Sequence, residues 1–306
     1  MELPVFSPNL ESSQKMNNTT SEFSPSDLDS IRQFIQSSLQ EDIGEGDHTS
    51  RASIPENAQG KAKLLIKEKG ILAGVNLAEM IFNETDPALQ VSTFIQDGQT
   101  VAPGDIVLEV NGNERSILLA ERLVLNCMQR MSGIATATRH YADLIKNTHT
   151  RLLDTRKTTP GMRLLEKWAV RLGGGHNHRI GLYDMILLKD NHVDYAGGVR
   201  EAILSTKKYL AETKKDLKVE IEVRNLSELS EVLETGHVNR ILLDNFNPAD
   251  LKKAVDLIGT RYETEASGGI TESNIRGYAE TGVNFISVGA LTHSIKSLDM
   301  SLKAVK

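Results

Sequence analysis

Cations and turn residues crowd the stretch from Asp154 to His192 as nowhere else in this chain. It reads Asp154-Thr155-Arg156-Lys157-Thr158-Thr159-Pro160-Gly161, then Gly173-Gly174-Gly175-His176-Asn177-His178-Arg179, then Lys189-Asp190-Asn191-His192. Residues 151–190 carry eight Lys/Arg against four Asp/Glu, whereas the whole chain of 306 residues carries −6. A basic cluster in an acidic background is a local site for a small polyanion, because a cleft focuses the field of nearby charges alone. Arg156-Lys157 follows the apolar pair Leu152-Leu153, and the Thr-Thr-Pro-Gly after it offers hydroxyls and free amides suited to phosphate. The plainer alternative is a solvated basic pair at a strand end.

The glycine triplet gives backbone freedom and an anion-friendly amide surface ahead of His176, His178 and Arg179. His-x-His spacing permits a metal pair on an extended segment. No third ligand follows at metal spacing, however, and Arg179 repels a cation. Lys189 closes another apolar run; the bland reading is a structural lysine, but lysine is rarely buried unless paired.

Further on, Glu222, Asp244, Ser267 and Gly289 recur every 22 or 23 residues, each at or just past the end of a β-type run. Polar groups delivered from successive strand ends to one rim mark an α/β barrel; a doubly wound sheet gathers them at one switch point. Two carboxylates a strand apart suit Mg²⁺ carrying a phosphate substrate. They also suit stabilisation of a transient positive charge, or simple pairing with Arg156 and Lys189. Ser267-Gly268-Gly269 and Val288-Gly289-Ala290-Leu291-Thr292 lead from the last two strands into helices, the usual phosphate cradle of barrels. An ordinary tight turn at Gly268-Gly269 is the alternative.

The elements that position these residues alternate. Strand-like runs fall at 151–155, 184–189, 218–223, 239–244, 262–267 and 284–289, with amphipathic helices at 161–172, 198–214, 226–235, 248–258 and 272–281. Asn247-Pro248 and Thr271-Glu272-Ser273 read as helix starts. Upstream, apolar spacing predicts a helix over Asp27–Gln40 capped by Ser26 or Asp27, then a loop over Glu41–Ser50. Short strands follow at Gly60–Lys67, Gln90–Ile95 and Asp105–Val110. The turn Asp97–Asp105 is a hairpin signal, also seen in biotinyl and lipoyl carriers, although nothing later suits a swinging arm. A long helical region, Asn113 to Lys146, is expected to break near Ser132-Gly133.

Composition bounds the rest. With 39% hydrophobic and 25% charged residues the chain is a globular type. Its negative charge argues against nucleic-acid binding, and no apolar run approaches the ~20 residues of a membrane span. One cysteine, Cys127, excludes an intrachain disulfide and fits a reducing compartment, read as cytoplasmic. Residues 1–25, rich in Ser, Asn, Thr and Pro, read as a disordered tail without signal or presequence character.

These residues resemble the quinolinate phosphoribosyltransferases, also called carboxylating nicotinate-nucleotide pyrophosphorylases. The likeness runs from Asp27 to Ser294. It includes Glu41-Asp42-Ile43-Gly44-Glu45-Gly46-Asp47-His48-Thr49, Glu121-Arg122…Leu125-Asn126…Ser132-Gly133-Ile134-Ala135-Thr136, and the Arg156–Gly161 and Gly173–Arg179 blocks. The resemblance implies an α+β open-sandwich domain over 26–135, an incomplete TIM-like α/β barrel over 136–290, and a C-terminal helix over 291–306 packing back on the first domain. It implies Mg²⁺-dependent transfer from phosphoribosyl pyrophosphate to quinolinate with decarboxylation, giving nicotinate mononucleotide for NAD biosynthesis.

By the same resemblance Arg156, His178, Arg179 and Lys189 hold the two carboxylates, and Lys157 meets the sugar pyrophosphate. Glu222 and Asp244 serve the metal and ribose, with Lys157 and Lys189 in the catalytic set. Ser267, Gly268, Gly269, Val288, Gly289 and Ala290 take the 5′-phosphate. Arg122 enters the partner's site in a homodimer. The competing readings are a sibling transferase for a monocarboxylate acceptor and a barrel that binds phosphosugar without turnover.

Overall fold

The computed structural model describes residues 23–305. Helix α1 (Pro25–Ile43) starts earlier than its apolar spacing alone indicates. Ser24 is the N-cap, Pro25 occupies the first turn, and Asp27 completes a capping box by accepting from the Ser24 N–H at 3.1 Å. Phe23 packs edge-on against Trp168 with ring centres 4.8 Å apart. Residues 23–25 are therefore part of the fold rather than of a tail; residues 1–22 lie outside the described residues. Asp47 caps α2 (His48–Ser53), so the expected loop over 41–50 is largely helical at both ends.

Strands β1 (Gln59–Ile66), β2 (Gly70–Ile71), β3 (Gln90–Thr93), β4 (Thr100–Val101) and β5 (Ile106–Asn113) surround α3 (Val75–Thr85). β3 and β5 form the antiparallel pair around the expected turn, while β4 leaves it to pair with β2. Helix α3 has no local start signal, because Gly74 precedes it with no side-chain cap. Its free N–H groups are taken instead by Asp97, which accepts from Val75 N at 2.9 Å and Asn76 N at 3.4 Å.

Helix α4 (Glu114–Ile145) runs unbroken for 32 residues, so the expected break at Ser132-Gly133 is absent. Ser132 bonds the backbone of Ala73, accepting from its N–H at 2.9 Å and donating to its carbonyl at 3.1 Å. A Cβ on Gly133 would sit 2.3 Å from the Lys296 carbonyl oxygen. The pair is small because two segments press on the helix, not because the helix ends there. The boundary expected at 135/136 falls inside this helix.

Next come β6 (Arg151–Leu153), α5 (Arg163–Leu172), β7 (Ile186–Leu188), α6 (Asp190–Ala196), α7 (Val199–Thr213), β8 (Val219–Val223), α8 (Leu226–Thr235), β9 (Arg240–Asp244), α9 (Pro248–Ile258), β10 (Glu263–Ser267), α10 (Ile275–Ala279), β11 (Phe285–Ser287), α11 (Ala290–His293) and β12 (Met300–Val305). The six strands from β6 to β11 form one parallel sheet in the order β6-β11-β10-β9-β8-β7. Asn225 and Asn247 cap α8 and α9. Helix α10 is shorter than expected, since Asn274 spends its side chain on Thr271 N and the Gly269 carbonyl instead of capping.

A single parallel bridge, Leu153 to His176, extends the sheet beyond β6. Side chains from this segment, β8 and β10 (His178, Glu220 and Glu265) meet in one layer, with His178 Nε2 3.0 and 3.5 Å from the two carboxylates. Layers built from alternate strands are the interior of a barrel. Here the barrel stays open between the 176–179 segment and β7.

The C-terminus corrects the expectation of a terminal helix. Only α11 is helical, and β12 pairs antiparallel with β1 from Lys61↔Val305 to Ile66↔Met300. The first sheet thus runs β12-β1-β5-β3. Alternation decides it: Met300 and Leu302 are buried, whereas Ser301 is only partly buried and Lys303 is exposed, the two-residue period of a half-buried strand.

Candidate active site

Where β6 ends, Asp154 turns inward and is fully buried. Lys167 of α5, equally buried, donates to its Oδ1. The same carboxylate accepts from His178 N at 2.8 Å and from Asn177 Nδ2 at 2.6 Å, while Lys167 Nζ also donates to the His178 carbonyl at 3.1 Å. Burial pushes the Asp154 pKa up and the Lys167 pKa down, each opposed by the other's charge.

Arg156 and Lys157 follow on the rim. Both are exposed, and neither side chain has a hydrogen bond or ion pair among the described residues. Arg179 reaches the same place from the 176–179 segment, its guanidinium donating to the Met185 carbonyl at 3.2 Å. Its pKa is lowered first by desolvation and then by the charge of Arg156. Two guanidiniums near enough to repel, with no carboxylate in ion-pair contact with either among the described residues, suit an external anion. Arg163 ties the two loops together, donating to Thr158 Oγ1 at 3.0 Å and to the Ile180 carbonyl at 3.2 Å.

Lys157 is drawn to the other end of the barrel. Thr292 Oγ1 donates to its carbonyl at 2.8 Å; Arg130, from α4, donates to the Thr292 carbonyl at 3.1 Å and to Thr159 Oγ1 at 2.8 Å. Arg130 is itself held by buried Glu166 at 2.7 Å. The Lys157 stem and the His293 ring lie 3.2 and 3.0 Å from the point where a Cβ on Gly289 would stand. Lys157 therefore borders the Val288–Ala290 turn, and Ser267–Gly269 closes the neighbouring strand.

Lys189, half exposed, brings its ammonium 3.4 Å from the Glu222 carboxylate. Burial raises the Glu222 pKa; Lys189 opposes this, and the charges of Asp244 and Asp190 add to it. Asp244 is raised likewise by burial, and it accepts from Asn245 Nδ2 at 2.6 Å. One lysine thus serves a corner of three acids, a deficit of positive charge among hard oxygen donors. That donor set fits Mg²⁺.

The glycine triplet combines packing with backbone freedom: a Cβ on Gly173 would lie 2.5 Å from the Ala135 carbonyl oxygen and one on Gly175 2.8 Å from Thr138, while Gly174 takes a φ of 93°. His178, expected to contact a substrate carboxylate, points into the barrel with only 7% of its side chain exposed. Its Nδ1 accepts from Arg179 N at 2.7 Å; its Nε2 lies 3.0 Å from Glu220 Oε2, yet neither oxygen of that carboxylate has a hydrogen-bond partner. His176 is exposed and is not part of the cluster that His178 joins. His178, Glu220 and Glu265 do bring ligand atoms within 4.8 Å of one another, but Arg240, 3.0 Å from Glu265, supplies the cation there. Arg122 is exposed on α4 and has no hydrogen-bond or ion-pair partner among the described residues. No contact within the chain brings it to the rim.

Sequence reasoning missed Asp154, Lys167, Glu220, Glu265, Arg240 and Arg130. Glu220 and Glu265 were within reach, since each lies two residues before a rim residue on the same strand face.

An open barrel of parallel strands, presenting charged groups at the C-terminal rim, defines an α/β-barrel enzyme. Comparison with known proteins makes this specific. The family model described as quinolinate phosphoribosyl transferase, C-terminal domain, matches residues 134–303, and that for the N-terminal domain matches residues 47–132. Quinolinate phosphoribosyltransferase [decarboxylating] 2, mitochondrial, of Nicotiana glauca is 47% identical over 288 residues, spanning 89% of this chain and 82% of the relative. The nicotinate-nucleotide pyrophosphorylase structure from Francisella tularensis superposes with a TM-score of 0.83 at 40% identity, covering 90% of this chain and 96% of that one. NadC from Streptococcus pyogenes gives a TM-score of 0.85 at 37% identity, covering 93% and 99%. The chain belongs to the quinolinate phosphoribosyl transferase family, a family of phosphoribosyltransferase enzymes.

Proposed function

We propose that this protein transfers the phosphoribosyl group of phosphoribosyl pyrophosphate to quinolinate and releases CO₂, giving nicotinate mononucleotide and pyrophosphate. The observation that carries the reading is the pair Arg156 and Arg179: among the described residues no carboxylate forms an ion pair with either, and desolvation together with the charge of Arg156 lowers the Arg179 pKa, a shift that Glu220 and Asp184 offset only in part. A planar dicarboxylate neutralises both, and arginine forks suit carboxylates bidentately. A monocarboxylate leaves one guanidinium unmatched, which favours quinolinate over the sibling acceptor.

Arg156, Arg179 and Lys189 bind and orient quinolinate, so that the ring nitrogen faces C1′ of the sugar. Lys157, beside Gly289, neutralises the pyrophosphate, and the Ser267–Gly269 and Val288–Ala290 turns take the 5′-phosphate. Glu222 and Asp244 would hold Mg²⁺, which when bound supplies charge stabilisation to the leaving pyrophosphate. As C1′–O breaks, the half-buried carboxylates stabilise positive charge on the ribose. The nitrogen lone pair forms the new bond to C1′ and the ring becomes cationic. The bond from C2 to its carboxylate then breaks; its electron pair stays on C2, stabilised by the adjacent cation, CO₂ departs, and C2 takes up a proton.

Arg122 has no hydrogen-bond or ion-pair partner among the described residues, which supports its entry into a neighbouring subunit's site and hence a homodimer. A reducing compartment such as the cytoplasm suits the buried free thiol of Cys127. Steady-state comparison of acceptors tests the reading: kcat/KM for quinolinate is expected to exceed that for nicotinate at least a hundredfold. Comparable values would favour the monocarboxylate sibling, and no nucleotide from either would favour a binding barrel.

A further inference from the structure

Arg130 joins two loops of the site from α4. Its Nε donates to Oε1 of Glu166 at 2.7 Å, and the other oxygen of that fully buried carboxylate accepts from Thr159 N at 3.2 Å. Arg130 Nη2 donates to Thr159 Oγ1 at 2.8 Å and to the Thr292 carbonyl at 3.1 Å. Thr292, also fully buried, shares its hydroxyl proton between the carbonyls of Lys157, at 2.8 Å, and Gly289, at 3.3 Å. Gln129, beside Arg130, accepts from Leu298 N at 2.9 Å with its carbonyl and donates to the Met300 carbonyl at 3.0 Å. The chain after α11 is therefore pinned to the same turn of α4. The Thr292 hydroxyl reaches Lys157 through its backbone, which leaves the ammonium for the pyrophosphate.

Phosphoribosyl pyrophosphate carries its 5′-phosphate and its pyrophosphate at a separation that the ribose limits. A site that holds both must keep its two anion-binding groups at the matching distance, since misplacement by about 1 Å is enough to cost orders of magnitude in rate. We propose that Arg130 and Thr292 are positioning residues, setting the distance between Lys157 and the Val288–Ala290 turn and so the affinity for the phosphoribosyl donor, with no part in holding the acceptor. This inference rests on the functional reading above.

Variants at Thr292 isolate the bridge. Thr292→Val keeps the shape of the side chain and removes the hydroxyl; Thr292→Ser keeps the hydroxyl. Thr292→Val is expected to raise KM for phosphoribosyl pyrophosphate about tenfold, the scale of one buried hydrogen bond. KM for quinolinate should stay within about threefold of wild type, and kcat should change less than the donor KM. Thr292→Ser should return the donor KM close to wild type. Arg130→Met should raise it about tenfold to a hundredfold, because hydrogen bonds to a charged group are worth more. Both residues act through one bridge, so the double variant should be no worse than Arg130→Met alone. Should Arg130→Met strand Glu166 and fail to fold, the two Thr292 variants decide. Direct contact of Arg130 with the donor predicts a silent Thr292→Val, and a purely structural role predicts a lowered urea midpoint with both KM values unchanged. Either result overturns the proposal, as do equal rises in the two KM values. Wild-type protein that forms no nucleotide from these substrates would instead overturn the functional reading, and with it the role given to both residues.

Discussion

Lys189 Nζ lies 3.4 Å from Glu222 Oε2, and it is the positive charge that opposes the raised pKa of both Glu222 and Asp244. Removing it by Lys189→Met leaves burial and mutual repulsion unopposed. Both carboxyls then titrate higher. Holding a cation requires the ionised forms, so the acid limb of kcat/KM should move to higher pH, with the deficit smaller at pH 9 than at pH 6. A limb that stays in place would mean the acids do not sense Lys189.

Lys167 and Asp154 are both fully buried, so removing one partner strands the other's charge. Lys167→Met should cost about 3–5 kcal/mol of stability, read by urea unfolding. A loss below 1 kcal/mol would show that water or a rearranged loop replaces the ammonium.

Gly133 tests the continuity of α4. In an isolated helix Gly133→Ala would gain about 1 kcal/mol from propensity. Here the added Cβ lies 2.3 Å from the Lys296 carbonyl oxygen, and backbone on both sides yields poorly. The clash outweighs the gain, and a net loss of about 1–3 kcal/mol is expected in thermal unfolding. A raised Tm would contradict the packing.

The buried acids make stability depend on pH. Burial and the charge of Glu220 push Glu265 up to about 8 from its ordinary 4.5. The folded state therefore favours the protonated acid: this contribution is fully present below pH 4.5 and lost as pH rises through 8. Glu265→Gln, a permanently neutral replacement, should lose less Tm between pH 6 and pH 9 than wild type does. Equal slopes would mean that the dyad is already ionised at neutral pH.

Arg122, exposed and without a hydrogen-bond or ion-pair partner among the described residues, predicts a shared site. Arg122→Ala and Lys157→Ala homodimers should each be impaired, and mixing them under subunit exchange should restore up to about a quarter of wild-type activity, since only one site in a heterodimer is intact. No recovery on mixing would count against the intersubunit role.

The alternation of β6 to β11 with their helices was legible because the units carry local cues: an apolar run, a polar residue at its end and, for α9, the cap Asn247 ahead of Pro248. What failed depended on distant partners. Helix α3 is capped by Asp97, across 22 residues, and offers no start signal of its own. Gly133 reads as a breaker until Lys296 is seen against it. In the site, the rim cations were legible because type and spacing carry them. The inward placement of His178 was not, because Asp154 holds its backbone N–H while Glu220 and Glu265 flank its ring from two separate strands.

The most direct test of the proposed reaction follows one carbon. Purified protein is incubated with quinolinate carbon-14-labelled at the 2-carboxylate, phosphoribosyl pyrophosphate and Mg²⁺, and released CO₂ and pyrophosphate are both counted. The expected result is one labelled CO₂ per pyrophosphate, abolished without phosphoribosyl pyrophosphate. Pyrophosphate without labelled CO₂, or neither product, would contradict decarboxylating transfer.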